Sequence, residues 1–216
     1  ECGDASGTGF FDPVKRCFDE RRMSAIDEGL SELLPDLIGP DAALGGLREE
    51  WAEEWGLRPG LLISPGSGDN MMSALGAGAV RPGISVMSLG TSGTMFAQAE
   101  HAVVDPAGEI APFCDATGRW LPLLCTMNVT VATELIRKDF KWTHAQYEAA
   151  ARKAPAGSDG LLLLPYLEGE RTPNVPDGTG VYFGVRAGTF TEKHFARATM
   201  EGVTLGMNYG LRRLEK

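Results

Sequence analysis

The chain has 216 residues, 43% of them hydrophobic, and a formal net charge of −9. That length can bury a core for one large domain or two small ones, and the acidity excludes a nucleic-acid or anionic-membrane surface, since the longest basic runs are pairs such as Arg21-Arg22. No apolar run approaches the roughly 20 residues that cross a bilayer, no secretory leader opens the chain, and neither Cys2, Cys17, Cys114 and Cys125 nor the three histidines have metal-ligand spacing, so a cytoplasmic protein with reduced thiols and no metal cluster is expected.

In chain order, GTGFFD (7–12) suits a short strand and Asp12-Pro13 a turn. A helix is predicted over about 15–30, then a loop punctuated by Pro35 and Pro40. Glu49, Trp51, Ala52 and Trp55 give an amphipathic helix stopped at Gly56, and 61–64 reads as a short buried strand. A helix over 70–80 is closed by Arg81-Pro82-Gly83, the best hinge signal in the chain. Two apolar runs around Gly90-Thr91-Ser92-Gly93 then predict a β-hairpin. A strand over 120–127, helices over 130–138 and 145–153, and a buried run over 161–166 follow. The last predicted element is a helix over 191–216, with Thr191 as its N-cap and Gly202, Gly206 and Gly210 opening one face to close packing. Glu1 is not an initiator methionine and no stop signal follows Leu211, so part of a longer protein is expected.

Two stretches invite chemistry, and each also has a plain structural explanation. In SPGSGDNMMSALGAG (64–78) an aspartate before a helix is commonly an N-cap. Gly66 and Gly68 also let backbone approach a ligand, which places Asp69 to accept a proton from a bound hydroxyl and Asn70 to hydrogen-bond a polyol. The Gly90–Gly93 tip could be ordinary turn chemistry, or its amides and the Thr91 and Ser92 hydroxyls could wrap a phosphate without positive side chains. A positive φ at Gly93 would give that glycine a backbone reason. No GxxxxGK[ST] loop is present, and Gly76-Ala77-Gly78 lacks the third glycine of a dinucleotide fingerprint. Met71 and Met72 read as core filler, and Glu168, Glu170 and Arg171 as either a solvated charge cluster or a loop held by an ion pair.

Three stretches together resemble the FGGY family of carbohydrate kinases. GSGDNMMSALGAGAVRPG followed by SLGTSG is similar to the family's centre. GVYFGVRAGTFTEKHFARATMEG (180–202) matches its C-terminal signature at Gly180, Tyr182, Gly184, Val185, His194, Phe195, Ala198, Thr199, Met200 and Glu201. LPYLEGERTP resembles the branch that phosphorylates the ketopentose D-xylulose; gluconate-kinase relatives tend to have Ala where Thr172 stands.

The resemblance implies an α/β fold of two ribonuclease H-like domains of the actin and sugar-kinase superfamily, both incomplete here, with a cleft between them. Residues 1–80 would be the last part of the N-terminal, sugar-binding domain and 81–216 the first part of the C-terminal, nucleotide-binding domain. It also implies ATP and Mg2+ as cofactors and a small sugar as substrate, with Asp69 the catalytic base and Asn70 beside the sugar. Gly90, Thr91, Ser92 and Gly93 would face the nucleotide phosphates with Thr130, although Thr130-Val131-Ala132-Thr133 departs from the more usual Ser-Ala-Ala. Neither nucleic acid nor membrane is an expected partner, and a homodimer is an assembly open to such a chain. The family's N-terminal acidic phosphate loop, earlier sugar-binding residues and later adenosine motif have no counterpart in the sequence, which therefore resembles the middle of a kinase about twice as long. The alternatives are a kinase of ribulose, gluconate or glycerol, or a non-catalytic sugar-binding protein of the same fold.

Overall fold

The computed structural model describes residues 1–215, so the last residue of the predicted C-terminal helix lies outside it. In chain order come α1 (Cys2–Ala5), β1 (Phe11–Asp12), β2 (Cys17–Phe18), α2 (Glu20–Ser24), α3 (Leu30–Leu33), β3 (Gly45–Gly46), α4 (Glu49–Trp55), β4 (Leu62–Ile63) and α5 (Asp69–Gly76). Then follow β5 (Ser85–Leu89), β6 (Gly93–Ala97), β7 (Ala111–Cys114), β8 (Trp120–Thr126), α6 (Thr130–Asp139), α7 (His144–Lys153), β9 (Leu162–Pro165), β10 (Gly180–Phe183) and α8 (Glu192–Leu214). β5, β6, β8 and β7 form one four-stranded sheet in that order, and the other strands pair two by two. The chain divides into two compact units, Glu1–Val86 with Phe96–Val104 and Ala111–Pro122, and Met87–Met95 with Asp105–Ile110 and Leu123–Lys216. No helix among the described residues is long and apolar enough to cross a membrane.

In the first unit, Ala5, Phe11 and Cys114 form a buried cluster, with Cys2, Phe18, Leu37 and Trp120 packed around it. Burial pushes the Cys114 thiol up to about 11, and all four cysteines are unpaired. The helix predicted over 15–30 does not form as one piece. Asp12 accepts the Val14 and Lys15 N–H groups, Arg16 takes a left-handed φ of 58°, and Asp19 caps a fresh start at Arg21 and Arg22. Likewise GTGFFD contributes only Phe11–Asp12 as strand, because Ser6–Thr8 winds as a 3-10 turn. α4 ends as expected, with Gly56 at φ 64° closing it. The strand predicted at 61–64 exists but is exposed, Leu62 by 75%, since its pairing partner is Gly45–Gly46, which offers no side chain to cover it. α5 stops four residues short of the predicted end: Gly78 adopts φ 76° while Ala79 N–H reaches the Ala74 carbonyl.

In the second unit, Met95, Leu124, Val129 and Met207 form one buried cluster and Ala132, Leu163 and Val203 another. β9 and β10 pair antiparallel, from Gly180 opposite Pro165 to Phe183 opposite Leu162. A capping box at Thr143 and Gln146 starts α7, whereas Thr191, at the N-cap position of α8, spends its hydroxyl on His194 Nδ1 at 2.7 Å. β7 escaped the sequence pattern, which shows no clean alternation across Ala111-Pro112-Phe113-Cys114.

The glycines of α8 are not equivalent. A Cβ on Gly202 would run into the Leu163 carbonyl oxygen, and one on Gly210 would lie 2.8 Å from a Leu124 methyl, whereas nothing lies within 4 Å of one on Gly206. Gly206→Ala is therefore expected to stabilise the fold by about 0.5–1 kcal/mol through helix propensity. Gly202→Ala should destabilise it by about 1–3 kcal/mol through overpacking. Denaturant unfolding of both variants checks the contrast, and a stabilised Gly202→Ala would overturn it.

Candidate active site

The first group of residues lies in the first unit, where β4 leads through a glycine-rich turn into α5. Gly66 takes φ 69°, which only glycine adopts without cost, and Gly68 is the N-cap. A Cβ on Gly68 would lie 2.9 Å from the sulfur of Met71, whose buried side chain anchors the helix with Ala74. Met72, in contrast, is 48% exposed and is not core.

Asp69 is the first residue of α5 and not its cap. Gly68 has no side chain to serve there, and the exposed Asp69 carboxylate accepts only the adjacent Asn70 N–H, at 2.7 Å, among the described residues. Capping geometry would have carried that oxygen to the second or third helical N–H. Asn70 follows at the second helical position, half-buried. A carboxylate at a helix start, favoured there by the macrodipole and not consumed by capping, remains available to a ligand hydroxyl.

The second group lies in the other unit. The Gly90–Gly93 tip joins β5 to β6, and its carbonyls take the place of a side-chain cap on α6: Val129 N–H donates to Thr91 O at 3.1 Å and Thr130 N–H to Gly90 O at 3.0 Å. In a trans peptide the N–H points opposite to the C=O. With the Gly90 and Thr91 carbonyls turned onto α6, the Thr91 and Ser92 N–H groups point away from that helix. Both residues are exposed, so their hydroxyls are accessible too.

Gly93 owes its place to packing and not to a positive φ, which it does not adopt. It is buried, and a Cβ there would lie 2.8 Å from each of Met207 Sδ, Thr126 Oγ1 and Val129 Cγ2. The structure thus brings Gly90, Thr91, Ser92, Gly93 and Thr130 together, while the Thr130 amide is already occupied and only its side chain is left to offer.

Thr91 and Thr130 line a groove of about 550 Å³ with Asn128, Glu134, Lys138 and Glu168. Thr130, Glu134 and Lys138 recur every fourth residue on α6, so helical periodicity from Thr130 would have found them. Arg137 hydrogen-bonds Glu134 through Nε and Nη2, at 2.9 and 2.7 Å, which holds that carboxyl below the ordinary glutamate value.

The loop carrying Glu168, Glu170 and Arg171 is not held by an ion pair among its own charges. Glu170 is buried, 3% exposed, and accepts the N–H groups of Met127, Asn128 and Arg171 and the Asn128 side-chain amide. Nothing local in the sequence marks that arrangement, because Asn128 and Glu170 are 42 residues apart.

The model of the FGGY family of carbohydrate kinases matches the chain with its N-terminal domain over residues 1–76 and its C-terminal domain over 85–216. The xylulose kinase of Haemophilus influenzae is 37% identical over 213 residues, covering 98% of this chain and 43% of that protein. The xylulose kinase of Streptomyces rubiginosus is 39% identical over 206 residues, covering 95% and 40%. The crystal structure of xylulose kinase from Bifidobacterium adolescentis superposes with a TM-score of 0.83 at 30% identity, over 98% of this chain and 44% of that one. The chain therefore spans less than half the length of the relatives it matches. These structural neighbours are sugar kinases of the actin and ribonuclease H-like fold, the fold expected from the motifs.

Proposed function

The chain belongs to the FGGY family of carbohydrate kinases, and from that membership we propose that the full-length protein transfers the γ-phosphate of MgATP to a hydroxyl of a ketopentose, D-xylulose in the first place. Residues 1–80 belong in this reading to the sugar-binding domain and 81–216 to the nucleotide-binding domain. Asp69 accepts the proton of the attacking sugar hydroxyl, and Asn70 hydrogen-bonds the sugar. The Thr91 and Ser92 amides and hydroxyls hold ATP phosphate oxygens, with Gly90 and Gly93 shaping the turn and the Thr130 hydroxyl beside it. Positioning of this kind supplies most of the catalysis in phosphoryl transfer, because the transition state has little covalent chemistry for a protein to perform.

The observation that carries the proposal is the orientation of the glycine loop: its carbonyls are spent on α6, which leaves two adjacent N–H groups facing away from that helix. An acidic chain that must bind polyphosphate needs such donors, since they add no net charge. Magnesium, when bound, neutralises phosphate charge. Among the described residues no group of three His, Cys, Asp or Glu side chains could hold a metal ion.

The test is a steady-state assay of the full-length protein with MgATP against D-xylulose, D-ribulose, gluconate and glycerol. A preference for D-xylulose supports the assignment, a preference for gluconate or glycerol replaces the substrate, and sugar binding with no phosphate transfer points to a non-catalytic sugar-binding protein. Thr91→Leu is expected to raise the ATP KM about tenfold or more, as loss of a hydrogen bond to a charged group does, with the sugar KM nearly unchanged. An unchanged ATP KM would move the phosphate site elsewhere.

A further inference from the structure

We propose that Glu170 is a positioning residue for the nucleotide phosphates: its buried carboxylate pins the segment 127–130, and through that segment sets where the Gly90–Ser92 peptides point. The inference rests on the assignment of the glycine loop to phosphate, and it names a residue that touches neither substrate.

A carboxylate buried to 3% exposure is costly unless its oxygens are fully satisfied. Among the described residues no Lys, Arg or His side chain forms an ion pair with Glu170; N–H donors compensate it instead. Oε1 accepts from Met127 N–H and from Arg171 N–H at 2.8 Å, and Oε2 from Asn128 N–H at 3.3 Å and Asn128 Nδ2 at 3.0 Å. Asn128 Nδ2 also donates to the Gly169 carbonyl, at 2.8 Å. Both oxygens therefore face donors only. A carboxylate, which is acceptor-only, fits that surrounding, whereas a glutamine would turn an NH₂ group toward one pair of N–H groups.

The pinned segment ends at the glycine loop. One residue beyond Asn128, the Val129 N–H reaches the Thr91 carbonyl, and the next N–H, of Thr130, reaches that of Gly90. The two peptides whose N–H groups would meet phosphate thus take their orientation from α6, and the entry of α6 takes its own from Glu170. Behind Glu170 the loop is braced in turn. Its main chain exchanges both hydrogen bonds with Val175, and Asn174 N–H donates to Glu109, which Arg213 holds at 2.8 Å. Two residues away, Glu168 lines the groove that Thr91 and Thr130 share. One loop thereby presents a side chain to the groove and a second that holds the groove's opposite contributors in place.

The experiment compares wild type, Glu170→Gln and Glu170→Asp in the full-length protein by amide hydrogen exchange without nucleotide and by steady-state kinetics. Glu170→Gln is expected to speed exchange about tenfold or more in peptides covering both 127–130 and 90–92, with β9 and α8 unchanged, because buried hydrogen bonds to a charged acceptor are lost. The ATP KM should rise about tenfold while the sugar KM stays within about threefold, and Glu170→Asp, which keeps an acceptor-only group, should recover part of both effects. Unchanged exchange at 90–92, or ATP and sugar KM rising together, overturns the proposal. If Glu170→Gln does not fold, Glu170→Asp decides by the same two measurements. Wild type that binds no nucleotide would end the phosphate assignment, whereas the exchange comparison still reports whether Glu170 fixes the loop.

Discussion

Asp69→Asn is expected to lower kcat by roughly 10²- to 10⁴-fold in the full-length protein, the range that loss of a general base produces, while stability stays within about 1 kcal/mol of wild type. The two effects separate because the carboxylate does little for the fold. It lies one position inside α5, it is exposed, and its hydrogen bond to the neighbouring Asn70 N–H is one that an asparagine oxygen can also accept. An amide cannot take up the proton of a sugar hydroxyl. If chemistry limits turnover, kcat and kcat/KM fall together and sugar binding persists. Steady-state kinetics and thermal unfolding beside wild type make the measurement. Turnover within a few-fold of wild type would remove Asp69 from catalysis, and a large drop in melting temperature with normal turnover would make it a structural residue after all.

Gly93→Val should act in the opposite way, through the fold first. The three atoms that a Cβ would meet at 2.8 Å belong to Met207, Thr126 and Val129, all buried to 4% exposure or less. Met207 can bend away, but Thr126 and Val129 are β-branched and have few alternative rotamers. Inserting three carbons there costs about 1–3 kcal/mol or more, which for a unit of about 100 residues lowers the melting temperature by roughly 4–8 °C per kcal/mol. Because Val129 also holds the Thr91 carbonyl, any accommodating shift moves the glycine loop, so ATP affinity is expected to fall with stability. Thr91→Leu, two residues earlier at an exposed position, should weaken ATP without that loss of stability. A Gly93→Val protein that melts like wild type would show that the surrounding core yields, and the packing account of this glycine would be wrong.

What the sequence by itself determined is whatever depends on neighbours within about one helical turn. The helix predicted over 145–153 forms as α7, Gly56 ends α4, and the two apolar runs on either side of residues 90–92 form consecutive strands, because capping, turn formation and periodicity act over one to four residues. The combined motifs also identify the family, whose model matches both parts of the chain. Asp69 stood out for the company it keeps, but its release from capping depends on backbone angles that place Gly68 outside the helix.

Only the tertiary structure decided how the rest is used. The same glycine letter means a left-handed turn at Gly66, close packing at Gly93 and Gly202, and open space at Gly206, according to which atoms arrive from residues far along the chain. Leu62 reads as core and is exposed, because burial belongs to the layer that packs on a strand and β4 is paired only with glycines. Glu170 reads either as part of a solvated charge cluster or as half of an ion pair, yet it is buried and held by four N–H groups, most of them more than 40 residues away in sequence, that converge on it. Hydrogen-bond partners and neighbours at that separation leave no local periodicity, since they are chosen by the folding of distant segments onto one another.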